Sequence, residues 1–539
     1  MIFNMKSYFS LSYFVLFFCG LMSIVSCQTK KPAVPKDLAE QQVIPKPVSV
    51  TATGSSFEID ENTVVEYQTE NLKPIAEYLI KLLEPATGFE FPVKEATSKA
   101  SSNRVFLMLT DSVSTMEGYQ LEITEERILI KANKPAGLFY GVQTLRQLLP
   151  ASIEKGVKIS ETLLVATGTI KDNPSYGYRG AMLDVSRHFF GVDDVKRVIR
   201  LLSIYKINRL HLHLSDDQGW RIEIKSWPKL TEIGGSSEVG GGEGGFYTQE
   251  QYKEIVKFAQ DHFITVIPEI DMPGHTNAAL ASYPELNCDG KAPELYHGTK
   301  VGFSSLCIDK EITYTFVEDV IRELAAITPG EYIHIGGDES HATEKKDFIK
   351  FINKTQKIVE KYGKKVQGWD EIAHTDLLPS TVVQFWSQKG DNALEGVEKG
   401  AKILMSPAQR AYMDIKYDSI TRIGLMWAGL TEVDDAYNWA LETYQEGISK
   451  KNIIGIEAPL WTETVQTMND IEYMVFPRVL GFAEIGWTPT SQRNWEEYKV
   501  RLGKHKDRFD ALGIDYYPSK LVPWVSSKTT EEKEVKIKP

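Results

Sequence analysis

The chain has 539 residues, 42% of them hydrophobic and 25% charged, which is enough to bury a large core in two or more domains. Its formal net charge of −12 argues against nucleic acid, or an anionic membrane surface, as a partner for the bulk of the chain. Any basic patch has to be local.

Residues 1–27 read as an export signal. Lys6 supplies a small positive start, residues 8–25 are almost wholly apolar, and Ile24-Val25-Ser26-Cys27 resembles a bacterial lipobox. Cleavage is expected before Cys27, which then carries lipid; a plain secretory signal or a short anchor helix is the alternative. Residues 28–42 follow as a tether, starting with three lysines and two prolines. The expected location is the bacterial envelope, with membrane contact only through the N-terminal lipid anchor. In such an oxidising compartment Cys288 and Cys307 are expected to form one disulfide, with two free buried thiols as the alternative. Their spacing suits no zinc site.

Residues 43–172 read as a small α/β accessory domain. Strands are expected over 56–67 and 105–109, helices over 72–83 and 137–149, and a hairpin over 119–123 and 128–130. From 173 to 525 strands alternate with helices. The strands are placed at 180–185, 209–214, 265–270, 332–335, 365–368, 382–385, 402–405 and 453–458. Helices are placed at 192–205, 249–262, 313–327, 348–362 and 469–487. Eight strands in this order predict a (β/α)8 TIM barrel. Residues 526–539, rich in Lys, Glu and Thr, read as a disordered tail.

Polar residues gather where these strands end, which is where such barrels build their sites. Asp184 and Arg187 follow the first strand, Asp216 and Asp217 the second, and Glu269, Asp271 and His275 the third. Asp338 and Glu339 follow the fourth. Gly336 and Gly337 precede that acid pair, and are expected to let a ligand approach the backbone. Two neighbouring carboxylates cannot ionise independently, so one keeps its proton, as cleavage of a glycosidic bond requires. Trp369, Trp386 and Trp461 stand beside acidic residues and suggest an aromatic cage for a sugar. The glycine-rich run 234–245 lacks the ending of a phosphate loop and is read as a mobile loop near the mouth. His211 and His213 point the same way along one strand and are read as core. No metal and no cofactor is expected.

Six stretches carry a resemblance to the family 20 glycoside hydrolases, the β-N-acetylhexosaminidases. They are Arg179-Gly-Ala-Met-Leu-Asp-Val-Ser-Arg-His188, His211-Leu-His-Leu-Ser-Asp-Asp217, Ile267-Pro-Glu-Ile-Asp-Met-Pro-Gly-His275, His334-Ile-Gly-Gly-Asp-Glu339, Gly368-Trp-Asp-Glu371 and Glu457-Ala-Pro-Leu-Trp-Thr-Glu463. The resemblance implies exo-hydrolysis of terminal N-acetylglucosamine or N-acetylgalactosamine from oligosaccharides or glycoconjugates, with the sugar's own 2-acetamido oxygen as nucleophile. It implies that Glu339 is the acid and base, that Asp338 orients the acetamide, and that Tyr412 donates to the acetamido oxygen. Arg187, Asp414 and Glu463 would hold hydroxyls, Trp369, Trp386 and Trp461 would wall the pocket, and Asp216 with His275 would tune Glu339. A disaccharide-releasing glycosidase of the same fold, or a sugar-capture lipoprotein that does not cut, are the competing readings.

Overall fold

Alternation of apolar and polar residues builds the first domain. In β5 (Tyr119–Ile123) Tyr119, Leu121 and Ile123 are buried while Gln120 and Glu122 are not, and the strand pairs antiparallel with β6 (Arg127–Ala132). The computed structural model describes residues 37–97 and 102–525. The signal segment with Cys27, most of the tether and the 526–539 tail lie outside the described residues. Around the hairpin lie β1 (Ser49–Ile59), β2 (Val64–Tyr67), β3 (Val93–Glu95), β4 (Arg104–Leu109) and β7 (Leu163–Asp172), in the order β1-β7-β5-β6-β4-β2-β3. Helices Lys73–Thr87 and Pro135–Leu148 pack on this sheet. The single strand expected over 56–67 is two, split by the turn in which the Thr63 amide donates to the Asp60 carbonyl at 3.1 Å.

Residues 37–42 do not behave as tether. The Asp37 carboxylate caps a short 3-10 helix, Leu38–Glu40, by accepting from the Ala39 amide at 2.8 Å. Leu38 is buried, and His505 holds the Gln42 carbonyl at 2.7 Å. One apolar side chain and one backbone anchor fix this stretch against the fold.

The barrel closes from eight parallel strands. In order they are β8 (Tyr178–Asp184), β9 (Arg209–His213), β12 (Thr265–Glu269), β13 (Tyr332–His334), β14 (Lys365–Trp369), β15 (Val382–Phe385), β16 (Lys402–Met405) and β17 (Ile453–Leu460), with β17 pairing back to β8. The ribbon β10 (Ser215–Asp216) and β11 (Gly219–Trp220) follows β9. Pro477 cannot donate a backbone hydrogen bond, and the helix expected over 469–487 is accordingly two, Met468–Val475 and Arg478–Trp487.

The two domains share a buried junction. Trp487 packs into the accessory core and donates its indole N–H to Asp172 at 2.9 Å. Asp172 also accepts from Tyr119 at 2.6 Å and faces the fully buried Lys206 ammonium at 3.4 Å.

The middle of the barrel is charged. His213, Glu269 and His334 stand in register on neighbouring strands. Glu269 meets His211 at 3.0 Å and His334 at 2.9 Å, contacts His213, and accepts the Trp369 indole N–H at 2.8 Å. Glu457 takes the other side of His211 at 2.8 Å, with Gln384 and Tyr178 donating to it at 2.7 and 2.6 Å. Burial works against these charges, yet His334, His213 and His211 hold the Glu269 carboxyl well below its usual range. Burial likewise opposes the His211 cation, but Glu457 and Glu269 push its pKa up to about 9. His211 and His213 do face the core, but as ionic partners and not as packing.

Candidate active site

The acid pair rests on an unusual turn at the end of β13. Gly336 and Gly337 have φ of +65° and +102°, and Glu339 has φ of +46°. A Cβ on Gly336 would lie 1.8 Å from Asp271 Oδ1, and one on Gly337 would lie 2.7 Å from Ile372. The glycines therefore make room for Asp271 and Ile372, and not for a ligand as the sequence had suggested. Asp271 Oδ1 accepts the Gly337 amide at 3.1 Å, so a buried carboxyl pins the turn that carries Asp338 and Glu339.

Both acids face one imidazole. His275 Nε2 lies 3.7 Å from Asp338 Oδ2 and 3.8 Å from Glu339 Oε2, while His275 Nδ1 is 3.1 Å from Asp216 Oδ1. Asp216 in turn accepts from Arg187 at 2.7 Å and meets His213 at 2.9 Å. Burial, then the charges of Asp271 and Glu339, push the Asp338 carboxyl well above its ordinary value despite His275. Burial drives Asp271 up to about 7. Burial disfavours the His275 cation, but Asp216 and Asp338 more than compensate and raise it well above the usual range. The same opposition leaves Asp216 an anion, with Arg187 and then His275 outweighing burial.

Arg187 is held by three polar partners and one ring. It meets Asp184 at 3.2 Å as well as Asp216, donates to Gln218 at 3.2 Å, and lies 4.8 Å above the Trp461 ring. Asp184 also accepts the Ser186, Arg187 and Thr462 amides, which ties the ends of β8 and β17 together.

Aromatic rings line the remainder. Trp369 and Trp461 have centroids 5.6 Å apart, and Trp386 lies nearly parallel to Tyr412 at 6.4 Å. Trp386 is oriented by Glu371, which accepts its indole N–H at 3.0 Å. Tyr412 is buried, and burial followed by the Asp338 charge raises its phenol well above the ordinary value, so it keeps its proton as a donor. Among the described residues neither Asp414 oxygen has a hydrogen-bond partner, and neither does Glu463 Oε2, though all three are buried. Such acceptors suit a ligand's hydroxyls.

Every candidate the sequence placed around the pocket thus converges here: Arg187, Asp216, His275, Asp338, Glu339, Trp369, Trp386, Tyr412, Asp414, Trp461 and Glu463. Two neighbours were not foreseen as part of it. Trp427 makes edge contacts with Trp386 at 6.1 Å and Tyr412 at 5.9 Å, and remains 48% exposed at the rim. Asp271 was visible as a polar strand end, but nothing in the sequence showed that it holds the glycine turn.

Two loops border the pocket. The glycine-rich run is not loose: Arg221 donates to the carbonyls of Ser186, Gly235, Ser237 and Gly245, and the Val239 amide donates to the Arg187 carbonyl at 2.9 Å. A buried guanidinium gathers four carbonyls and fixes the loop. Cys288 and Cys307 are joined by a disulfide, closing the loop in which Ser304 contacts Asp217 and Gly298 accepts from Gln218 at 2.9 Å.

A closed parallel barrel with buried acids, a stacked aromatic cage and unpartnered hydroxyl acceptors at its strand ends defines a carbohydrate-hydrolysing class of enzyme. Comparison with known proteins narrows this. Residues 176–490 match the model of the glycosyl hydrolase family 20 catalytic domain, and residues 40–173 match that family's domain 2. The β-N-acetylhexosaminidase of Cellulomonas fimi is 40% identical over 486 residues, covering 89% of this chain and 97% of that one. The structure of the Streptomyces coelicolor A3(2) GH20 β-N-acetylhexosaminidase superposes with a TM-score of 0.88 at 49% identity, covering 92% of this chain and 100% of that one. A mutant Streptomyces plicatus β-hexosaminidase in complex with its product, GlcNAc, has the same TM-score at 50% identity, with coverage of 92% and 100%. The chain belongs to glycosyl hydrolase family 20 and is a glycoside hydrolase of the β-N-acetylhexosaminidase type.

Proposed function

We propose that the enzyme removes single terminal β-linked N-acetylglucosamine or N-acetylgalactosamine residues, and that the substrate's acetamido oxygen is the nucleophile. One observation carries the mechanism: Asp338 and Glu339 both lie within 4 Å of the same His275 nitrogen. An enzyme nucleophile and its acid partner flank the bond from opposite sides, about 5–5.5 Å apart. Two acids on one edge suit a different division of labour. Glu339, whose side chain is 31% exposed, protonates the leaving oxygen and later activates water. Asp338 accepts the acetamide N–H and then faces the positive charge of the oxazolinium ion. Both interactions favour its carboxylate form, so substrate drives off the proton that Asp338 holds in the empty site. Tyr412 donates to the acetamido oxygen as it attacks. Arg187, Asp414 and Glu463 bind the hydroxyls of a non-reducing end, which favours release of one sugar over release of a disaccharide.

The test is hydrolysis of an aryl β-N-acetylglucosaminide against the matching β-glucoside, with Glu339→Gln and Asp338→Asn alongside. Cleavage confined to the N-acetyl sugar and lost in both variants is expected. Equal cleavage of both sugars would sink the substrate-assisted mechanism. We further infer export and lipidation at Cys27 from the lipobox alone; failure of the intact chain to incorporate a labelled fatty acid in bacteria would refute it.

A further inference from the structure

A second chemistry is available to the same acids. His275 is 1% exposed, and among the described residues its Nε2 has no hydrogen-bond partner, although it lies within 4 Å of two carboxylates. Asp338 Oδ1 is also buried without a hydrogen-bond partner among the described residues. One atom from each of His275, Asp338 and Glu339 lies within 4.8 Å of the others. Ligands bound at about 2.0–2.2 Å around a tetrahedral zinc stand about 3.3–3.6 Å apart, so the observed 3.7 and 3.8 Å separations need only a small contraction.

We propose that His275, Asp338 and Glu339 form an inhibitory site for one zinc-class divalent cation. Asp216 completes it from behind: its carboxylate faces His275 Nδ1, so the imidazole presents Nε2 forward as in a carboxylate–histidine–zinc arrangement. The cation replaces the protons that His275 and Asp338 otherwise carry, and both leave to solvent. The mixed nitrogen and carboxylate donors favour zinc over calcium or magnesium, which demand six or more oxygens. The half-exposed Glu339 provides the entry path, and the fourth position opens to the pocket. The His211, Glu269 and His334 group deeper in the barrel differs on both counts. It is sealed from solvent, and Glu269 already meets both imidazoles at 3.0 Å or less.

The placement rests on these distances, while its consequence, loss of turnover through capture of both acids, rests on the hydrolytic reading above. The test therefore reads the metal directly. Zinc chloride is titrated calorimetrically into the enzyme, and zinc-soaked crystals are examined by anomalous scattering. One saturable site is expected, with the anomalous peak about 2.0–2.2 Å from the three ligand atoms. His275→Gln should weaken binding at least about tenfold, Asp216→Asn should also weaken it, and N-acetylglucosamine should compete. No saturation, a peak elsewhere, unchanged affinity in His275→Gln, or equal binding of calcium would overturn the proposal. If His275→Gln does not fold, the wild-type anomalous map decides alone. A null result in these assays leaves the hydrolytic reading intact, and an inactive enzyme that binds zinc as described leaves the metal site intact.

Discussion

Asp271→Asn isolates the cost of burying an acid behind the turn that carries Asp338 and Glu339. The carboxyl is pushed from 3.8 to about 7 in the folded protein, chiefly by burial. The folded state therefore binds this proton more tightly than the unfolded chain does. The stability this gives is fully present below pH 4 and is lost as pH rises through about 7. At 1.36 kcal/mol per pH unit, the loss is about 2 kcal/mol at pH 5 and about 4 kcal/mol above pH 7. Asparagine retains the acceptor for the Gly337 amide and cannot ionise. Relative to wild type, Asp271→Asn should thus gain about 2–3 kcal/mol between pH 5 and pH 8.5. Urea unfolding followed by tryptophan fluorescence at the two pH values measures this difference. A gap between the two proteins that does not change with pH would show that Asp271 is ionised in the folded state, and the account of the turn would fail.

Tyr412→Phe keeps the ring against Trp386 and Trp461 but removes the donor that the proposed mechanism places at the developing charge, so kcat on the N-acetyl sugar should fall about 10²–10³-fold with little change in KM. A drop of less than about threefold in steady-state kinetics would remove Tyr412 from the mechanism. Asp172→Ala strands the buried Lys206 ammonium at the domain junction and should cost about 3–5 kcal/mol in denaturant unfolding; adding Lys206→Met should restore part of that loss. N-acetylglucosamine binding should be accompanied by net proton release, because Asp338 holds its carboxyl well above the ordinary range in the empty site and the acetamide N–H favours its carboxylate. Calorimetry in buffers of different ionisation enthalpy reads this directly, and proton uptake would contradict it.

The barrel was legible because its strands are short runs that each carry Val, Ile or Leu, with polar residues gathered at or just past their ends. The ends at His334, Phe385 and Met405 could be read to within a residue in this way. Less could be read where residue type and role separate. His211 and His213 alternate as any buried pair would, and only Glu269 and Glu457, some 56 and 246 residues away in sequence, turn them into ion pairs. Gly336 signals a turn, but only the fold shows that Asp271 occupies the missing side chain's place. Trp427 lies in a loop with no period, so its position against Tyr412 had no local signal. The glycine-rich run suggested mobility because its anchor, Arg221, lies outside it.

The charged layer inside the barrel bears on how the chain finds its alignment. Moving β9 by one residue would turn His211 and His213 toward the helices and bring Leu210 and Leu212 inward, leaving Glu269 and Glu457 facing hydrocarbon. Each stranded charge would cost about 3–5 kcal/mol, whereas a slipped apolar layer exchanges one aliphatic contact for another. The ions at the centre thus act as a key that admits a single strand alignment. Because His213 also touches Asp216, the alignment that satisfies the core is the one that sets His275 against Asp338 and Glu339.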